Sequence, residues 1–275
     1  MIQNKRKLNI IKYNKIIKAK LNINKEDFVI YITLKEFNNK YKTNIEDIDI
    51  RELNLSGINI KNEGLKDLAK INFKELKELD LGGNKISDIN ILEKVDFKGL
   101  KRLYLNYNHI SDINILEKVN FKKLNKLNLR SNIISDINIL EKVNFKELKE
   151  LDFYCNKISD INILEKVNFK ELIKLYFGYN KISNIDILEK VNFQKLKQLY
   201  LNNNEISDIN ILAKVNFKEL NELDLRNNKI SDISIFEKVD FKELDGLDLR
   251  SNLINVNDSI LINLKSKIKY LLVFD

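Results

Sequence analysis

Proline is absent from the 275 residues, and glycine occurs only 7 times. That excludes Pro/Gly/Ser linkers, collagen-like repeats and low-complexity stalks. One cysteine rules out an intrachain disulfide and permits a reducing compartment. With a single histidine beside it, a His/Cys zinc site within the chain is excluded too. No run of ~18 apolar residues occurs, so nothing reads as a membrane span. What is present suits a packed domain: 44% of residues are hydrophobic and 32% charged.

Charge of one sign is also missing, from one place. Residues 1–25 hold Lys5, Arg6, Lys7, Lys12, Lys15, Lys18, Lys20 and Lys25 and no acid. These eight account for the whole net charge of +8, so residues 26–275 balance. A neutral body gives little counterion-release drive toward nucleic acid, and no nucleic-acid partner is expected there. In the basic segment Ile10, Tyr13, Ile17 and Leu21 form one helical stripe. It reads as a helix that helps cap the first repeat, as a strip that lies on an anionic membrane, or as a site for an acidic partner. A targeting peptide fits less well: serine is lacking, arginine occurs once, and no small-residue cleavage site follows. The localisation expected is therefore cytoplasmic.

The dominant signal is a repeat of 24 residues. One asparagine column marks its phase: Asn84, Asn108, Asn132, Asn156, Asn180, Asn204, Asn228 and Asn252. A phenylalanine column marks the other end: Phe73, Phe97, Phe121, Phe145, Phe169, Phe193, Phe217 and Phe241. The unit reads L-x-x-L-x-L-x-x-N-x-I-S-D-I-x-I-L-E-K-V-x-F-x-x. In L-x-L the apolar side chains alternate, so this segment is a short strand with one face buried. Leu79 and Leu81 point inward; Glu78, Asp80 and Gly82 point outward. The asparagine is expected to bond backbone groups of its turn and of the next coil, forming a ladder. Ser87 and Asp88 are expected to cap a helical turn over Ile89–Val95, whose Ile89, Leu92 and Val95 recur at spacing 3. The phenylalanines are expected to stack as a spine on the convex side.

This unit is similar to the leucine-rich repeat family, whose L-x-x-L-x-L-x-x-N-x-L core recurs across residues 50–275. The I-x-D-I-x-x-L continuation resembles the subclass of bacterial internalins and of a eukaryotic phosphatase-regulator family, although those repeats usually run shorter. The resemblance implies an α/β repeat solenoid: a horseshoe with a concave parallel β-sheet and short convex helical turns. It also implies that the concave face binds a partner.

Three regions are expected. Residues 1–49 form a basic N-terminal helical cap, including a helix over Glu26–Tyr41 with Ile30, Leu34, Phe37 and Tyr41 on one stripe. Residues 50–257 form the repeat array. Its first repeat is irregular, with Ile58 in the asparagine position and two residues added before Leu68. Residues 258–275 form a last helix, begun by Asp258 or Ser259, and a closing strand.

Compared with itself, the chain is nearly constant on the convex side and varies at outward strand positions. The rows are Glu78, Asp80, Gly82; Arg102, Tyr104, Asn106; Lys126, Asn128, Arg130; Glu150, Asp152, Tyr154; Lys174, Tyr176, Gly178; Gln198, Tyr200, Asn202; Glu222, Asp224, Arg226; and Gly246, Asp248, Arg250. The next position adds Tyr107, Ser131, Cys155, Tyr179 and Asn203. Of the 10 tyrosines, Tyr104, Tyr107, Tyr154, Tyr176, Tyr179 and Tyr200 fall here. Tyr176 and Tyr200 sit at equal positions of adjacent strands ~4.8 Å apart and should stack. Aromatics within a charged rim compose protein-binding hot spots, though tyrosine also suits any exposed strand. The expected partner-binding set adds Arg102, Lys126, Arg130, Asp152, Asp224, Arg226, Asp248 and Arg250.

The rival reading is an effector enzyme using acidic concave residues, and the lack of a convergent His/Asp/Cys set argues against it. His109 and Cys155 lie two repeats apart, too far for a nucleophile–base pair. Asp224 and Asp248 share their face with Arg226 and Arg250, so ion pairing is expected rather than metal binding or acid–base work. No G-x-x-x-x-G-K-[ST], G-x-S-x-G or H-E-x-x-H occurs. The expectation is a non-enzymatic scaffold or recognition module for another protein, without cofactor or metal. At the C-terminal edge, Tyr270, Leu272 and Phe274 stand where earlier rows are mostly polar. Self-association through this strand, or a tail that curls over its own edge, would cover them.

Overall fold

The structure, a computed structural model, describes residues 25–239, 242–255 and 259–274. The basic stripe before residue 25, Phe241, the Asp258 cap and Asp275 lie outside the described residues. Ten three-residue strands follow one another: β1 (Glu52–Asn54), β2 (Glu78–Asp80), β3 (Arg102–Tyr104), β4 (Lys126–Asn128), β5 (Glu150–Asp152), β6 (Lys174–Tyr176), β7 (Gln198–Tyr200), β8 (Glu222–Asp224), β9 (Gly246–Asp248) and β10 (Tyr270–Leu272). They pair in chain order as one open parallel sheet. From β2 onward the register advances by one repeat, Leu79 opposite Leu103 and Leu103 opposite Leu127. Leu53 faces Leu79, so the two extra residues of the first repeat are absorbed after β1. The fold is a leucine-rich-repeat horseshoe.

The sheet forms the concave layer. The convex layer consists of single 3-10 turns, such as Asn90–Lys94, Asn114–Glu117 and Asn138–Glu141, repeated to Ser234–Glu237. A 3-10 turn has three residues per turn, which is why the apolar spacing is 3. Ile89 and Leu92 are buried and Val95 is half-buried. The expected capping needs correcting. The cap position falls on Ile89, which makes no side-chain cap bond. Asp88 accepts from the Asn90 N–H at 2.9 Å as an Asx turn, while the Ser87 hydroxyl accepts from Asn62 Nδ2. Asp112, Asp136 and Asp160 repeat the Asp88 bond.

The core is one continuous cluster threaded along the solenoid. Phe73, Phe97, Phe121, Phe145, Phe169, Phe193 and Phe217 are all buried in it. The core rings that stack face to face sit instead on the strand side. Phe153 and Phe177 replace leucine in adjacent repeats, with centroids 5.7 Å apart and planes 6° off parallel.

The asparagine column forms the expected ladder, but it points backward. Asn156 Nδ2 donates to Phe153 O in its own turn and to Leu129 O in the preceding coil, each at 3.0 Å. Its Oδ1 accepts from Ile134 N, again in the preceding coil. Asn84 begins the series by receiving the Ile60 N–H.

The N-terminal end is closed by α1 (Lys25–Tyr41), with Leu34 and Phe37 buried and Ile30 and Tyr41 half-buried. It packs on α2 (Lys61–Leu68), a full helix where later repeats have a 3-10 turn. Asp67 ties the two: Lys40 Nζ lies at 2.9 Å, the Tyr41 hydroxyl donates at 2.8 Å, and Lys70 Nζ lies at 2.7 Å. Burial alone would raise this carboxyl, but the bonds from Lys40, Lys70 and Tyr41 outweigh it and hold it at about 2. A folded value below the unfolded one means the tie contributes above roughly pH 4 and is lost as pH falls toward about 2. At the other end α3 (Ile260–Lys267) follows Ser259 and buries Leu261 and Leu264. Among the described residues no helix is long and apolar enough to cross a membrane.

Candidate functional site

Strands β1 to β9 bury their central leucine and turn their first and third residues to the concave face, while Leu271 at the centre of β10 is half-buried. Three outward columns and a fourth at the turn result, one residue from each per repeat. Tyr176 and Tyr200 are paired in register and stack, with centroids 4.8 Å apart and planes 13° off parallel. Burial first, and then the carboxylates of Glu150, Asp152 and Glu222, push the Tyr176 hydroxyl up to about 12. Tyr200 is raised further, by burial and by Glu222 at its hydroxyl. Tyr104 stands three strands from Tyr176, with Lys126 Nζ 5.3 Å from its ring centre.

The charged members of the expected set are mostly engaged with neighbours. Arg102 pairs with Glu78, and Lys126 with Glu150 at 2.7 Å. Asp152 accepts the Tyr154 N–H, Asp224 the Arg226 N–H and Asp248 the Arg250 N–H. An Asp or Asn in this column therefore closes its own Asx turn, as Asn54, Asp80 and Asn128 do too. Burial raises the carboxyls of Asp152 and Asp224, and the donated N–H groups oppose it. Asp152 is itself buried. Arg250 chelates Asp248 at 2.7 Å, and Arg226 lies 3.7 Å from Asp224, the ion pairs expected at these positions.

The fourth column carries a property that sequence reasoning missed. Every described residue in it is left-handed: Tyr107, Ser131, Cys155, Tyr179, Asn203, Asn227 and Ser251 have φ between 53° and 58°, and Gly57 and Gly83 have φ of 71° and 66°. The turn needs this conformation so that each N–H still reaches the next repeat: Tyr107 N bonds Arg130 O, and Tyr179 N bonds Asn202 O. Glycine and asparagine tolerate it, whereas a bulky side chain is strained. Gly57, Gly83, Asn203 and Asn227 were the available signal. Tyr107 and Tyr179 hold the strained position and are 57% and 48% exposed.

Tyr154 is half-buried, 5.0 Å from the Tyr179 centroid, and the Arg130 guanidinium lies 4.1 Å over its ring. Cys155 is exposed. Among the described residues no group of three or more His, Cys, Asp or Glu side chains is placed to hold a metal ion. Tyr270, Leu272 and Phe274 are exposed at the C-terminal edge of the sheet.

The repeats match known families. Residues 98–142 and 170–214 match a two-copy leucine-rich repeat model, and residues 75–89 match a single-repeat one. These stretches are leucine-rich repeats, and the same 24-residue unit continues between and beyond them. Among solved structures, an internalin (inlF) from Listeria monocytogenes is 25% identical, covering 88% of this chain and 81% of its own, with a TM-score of 0.61. Internalin C2 from the same species is 23% identical over 80% of this chain and 91% of its own, with a TM-score of 0.63. A complex of PEPR1 with AtPEP1 is 17% identical over 83% of this chain but only 39% of its own, with a TM-score of 0.52. No curated protein matches.

Proposed function

We propose that this protein is a non-enzymatic recognition module that binds another protein on the concave face of the sheet. Residues 50–257 present the surface, and residues 1–49 and 258–275 close its ends. The observation that carries the reading is the pair Tyr107 and Tyr179. Each holds a large exposed ring in a left-handed position where glycine would be unstrained. A left-handed residue with a Cβ costs about 1–2 kcal/mol, and such costs concentrate where they serve function. Leucine-rich repeat proteins commonly bind proteins, and the PEPR1 structure is a complex with AtPEP1.

The test uses two substitutions at one residue. Tyr107→Gly removes both ring and strain, so the fold should gain up to about 1 kcal/mol while partner capture from the source cell falls. Tyr107→Ala removes the ring but keeps the strain, so capture falls without the gain. Lys142→Ala, on the convex side beside Glu117, should retain the captured protein. A protein kept by both tyrosine variants and lost by Lys142→Ala would reverse the assignment.

A second reading is self-association through β10. Its outer edge has no paired strand among the described residues, and it carries Tyr270, Leu272 and Phe274 outward. Pairing with a second copy would satisfy the edge and bury these side chains together. Light scattering at tens of micromolar should then show a dimer that Leu272→Lys reduces to a monomer. A monomeric parent removes this reading.

A further inference from the structure

One side-chain amide on the concave face is left without a partner. Asn202 is 1% exposed, and neither its amide nitrogen nor its oxygen makes a hydrogen bond. Among the described residues it is the only carboxamide in that condition. Such buried orphans are uncommon, because a desolvated polar group without a partner costs free energy. What covers it is Tyr154, two repeats away. The ring reaches that far because the intervening residue is Gly178. A Cβ there would lie 2.7 Å from Tyr154 Cε2 and 2.5 Å from Asn202 Oδ1. Ring and amide thus share the space of a missing side chain. The Tyr154 hydroxyl faces the Asn202 amide without closing a well-formed bond.

The ring is held by weak contacts. Arg130 lies over it, and its own Nε is buried without a partner. Tyr179 meets it at a 47° tilt. Both contacts can be exchanged for equivalents from a ligand. Rotation of Tyr154 out of the row would uncover a slot one ring wide. Gly178 backbone forms its floor, the Arg130 guanidinium lines one side, and the Asn202 amide closes the end.

We propose that Tyr154 is the lid of a side-chain recess that takes the carboxamide of a glutamine on the bound protein. This rests on the concave-face reading above and names what that face reads. A primary carboxamide is planar, so it can lie against the guanidinium as the phenol ring does. It also carries one acceptor and one donor group, which complement the Asn202 amide in a paired ring of two hydrogen bonds. A carboxylate would face Asn202 Oδ1 with a second acceptor. An apolar side chain would leave both Asn202 atoms unpaired, and sites with unpaired buried polar groups reject such analogues strongly.

N-acetylglutamine N-methylamide serves as the probe, with the glutamate and leucine analogues as controls. In spectra of the 15N-labelled protein, the Asn202 side-chain NH2 signals should shift with the glutamine probe, saturating at millimolar concentration, and hardly move with the controls. Tyr154→Ala should lower the half-saturating concentration several-fold, because no lid has to be displaced. The Gly178 backbone amide at the floor should shift with the glutamine probe in the parent, and Asn202→Leu, checked as folded from its backbone spectrum, should abolish that Gly178 shift. Equal shifts with the leucine analogue, or no response in Tyr154→Ala at tens of millimolar, would overturn the recess. If the probe fails while Tyr107→Ala still loses a captured protein, the concave face stands and only the recess is removed.

Discussion

Asn156→Ala is expected to lower the unfolding free energy by about 1–3 kcal/mol, the usual cost of stranding buried backbone groups. The Asn156 amide donates to the Leu129, Phe153 and Tyr154 carbonyls and accepts from Ile134 N. Alanine can replace none of these bonds, and it loosens two coils at once because half of them cross to the preceding repeat. Asn252 makes the same four bonds, to Leu225, Leu249 and Arg250 carbonyls and from Ile230 N. Its substitution should nevertheless cost less. In a solenoid each repeat contacts only its neighbours, so a defect near the end opens locally, whereas one in the middle uncouples the halves. Urea unfolding of the two variants measures the difference. Equal and negligible shifts would show that the ladder contributes nothing.

The alternation of leucines and the constant period made the strands, their parallel order and their register legible before any coordinates. Leu79 faces Leu103 and Tyr176 faces Tyr200 because identical offsets leave no other pairing. Period-2 patterning reports which face a residue occupies, and it reports nothing else. It could not show that Asp152, Asp224 and Asp248 spend an oxygen on the N–H two residues ahead, because that depends on how the strand ends. It could not show the direction of the asparagine ladder, since both neighbouring coils lie within one repeat. Nor could it place Tyr154 across Gly178 and over Asn202, which needs a side-chain reach of two repeats and a gap in the row between. The left-handed column was closer to view. Glycine and asparagine recurring at one phase is the mark of positive φ, and the same phase held two tyrosines.

The double substitution Tyr176→Ala, Tyr200→Ala is expected to weaken partner binding by more than about 2 kcal/mol while leaving the fold intact. The two rings stack across adjacent strands at the centre of the ten-stranded sheet. Around them stand Glu150, Asp152, Lys174, Gln198, Glu222 and Asp224, a polar surround that excludes water once a partner docks. Aromatic anchors within such a surround carry a disproportionate share of interface energy. The leucines that hold the fold, Leu175 and Leu199, point the other way and are untouched by the change. Burial and the nearby carboxylates keep Tyr176 protonated to about pH 12, and Tyr200 is raised more strongly. Both hydroxyls therefore remain neutral donors where ordinary tyrosine ionises, near pH 10. Binding of the captured partner, measured by calorimetry, should show no loss attributable to these tyrosines between pH 8 and about pH 10. An affinity that survives the double substitution would move the hot spot away from the stack, to the Tyr107 and Tyr179 column.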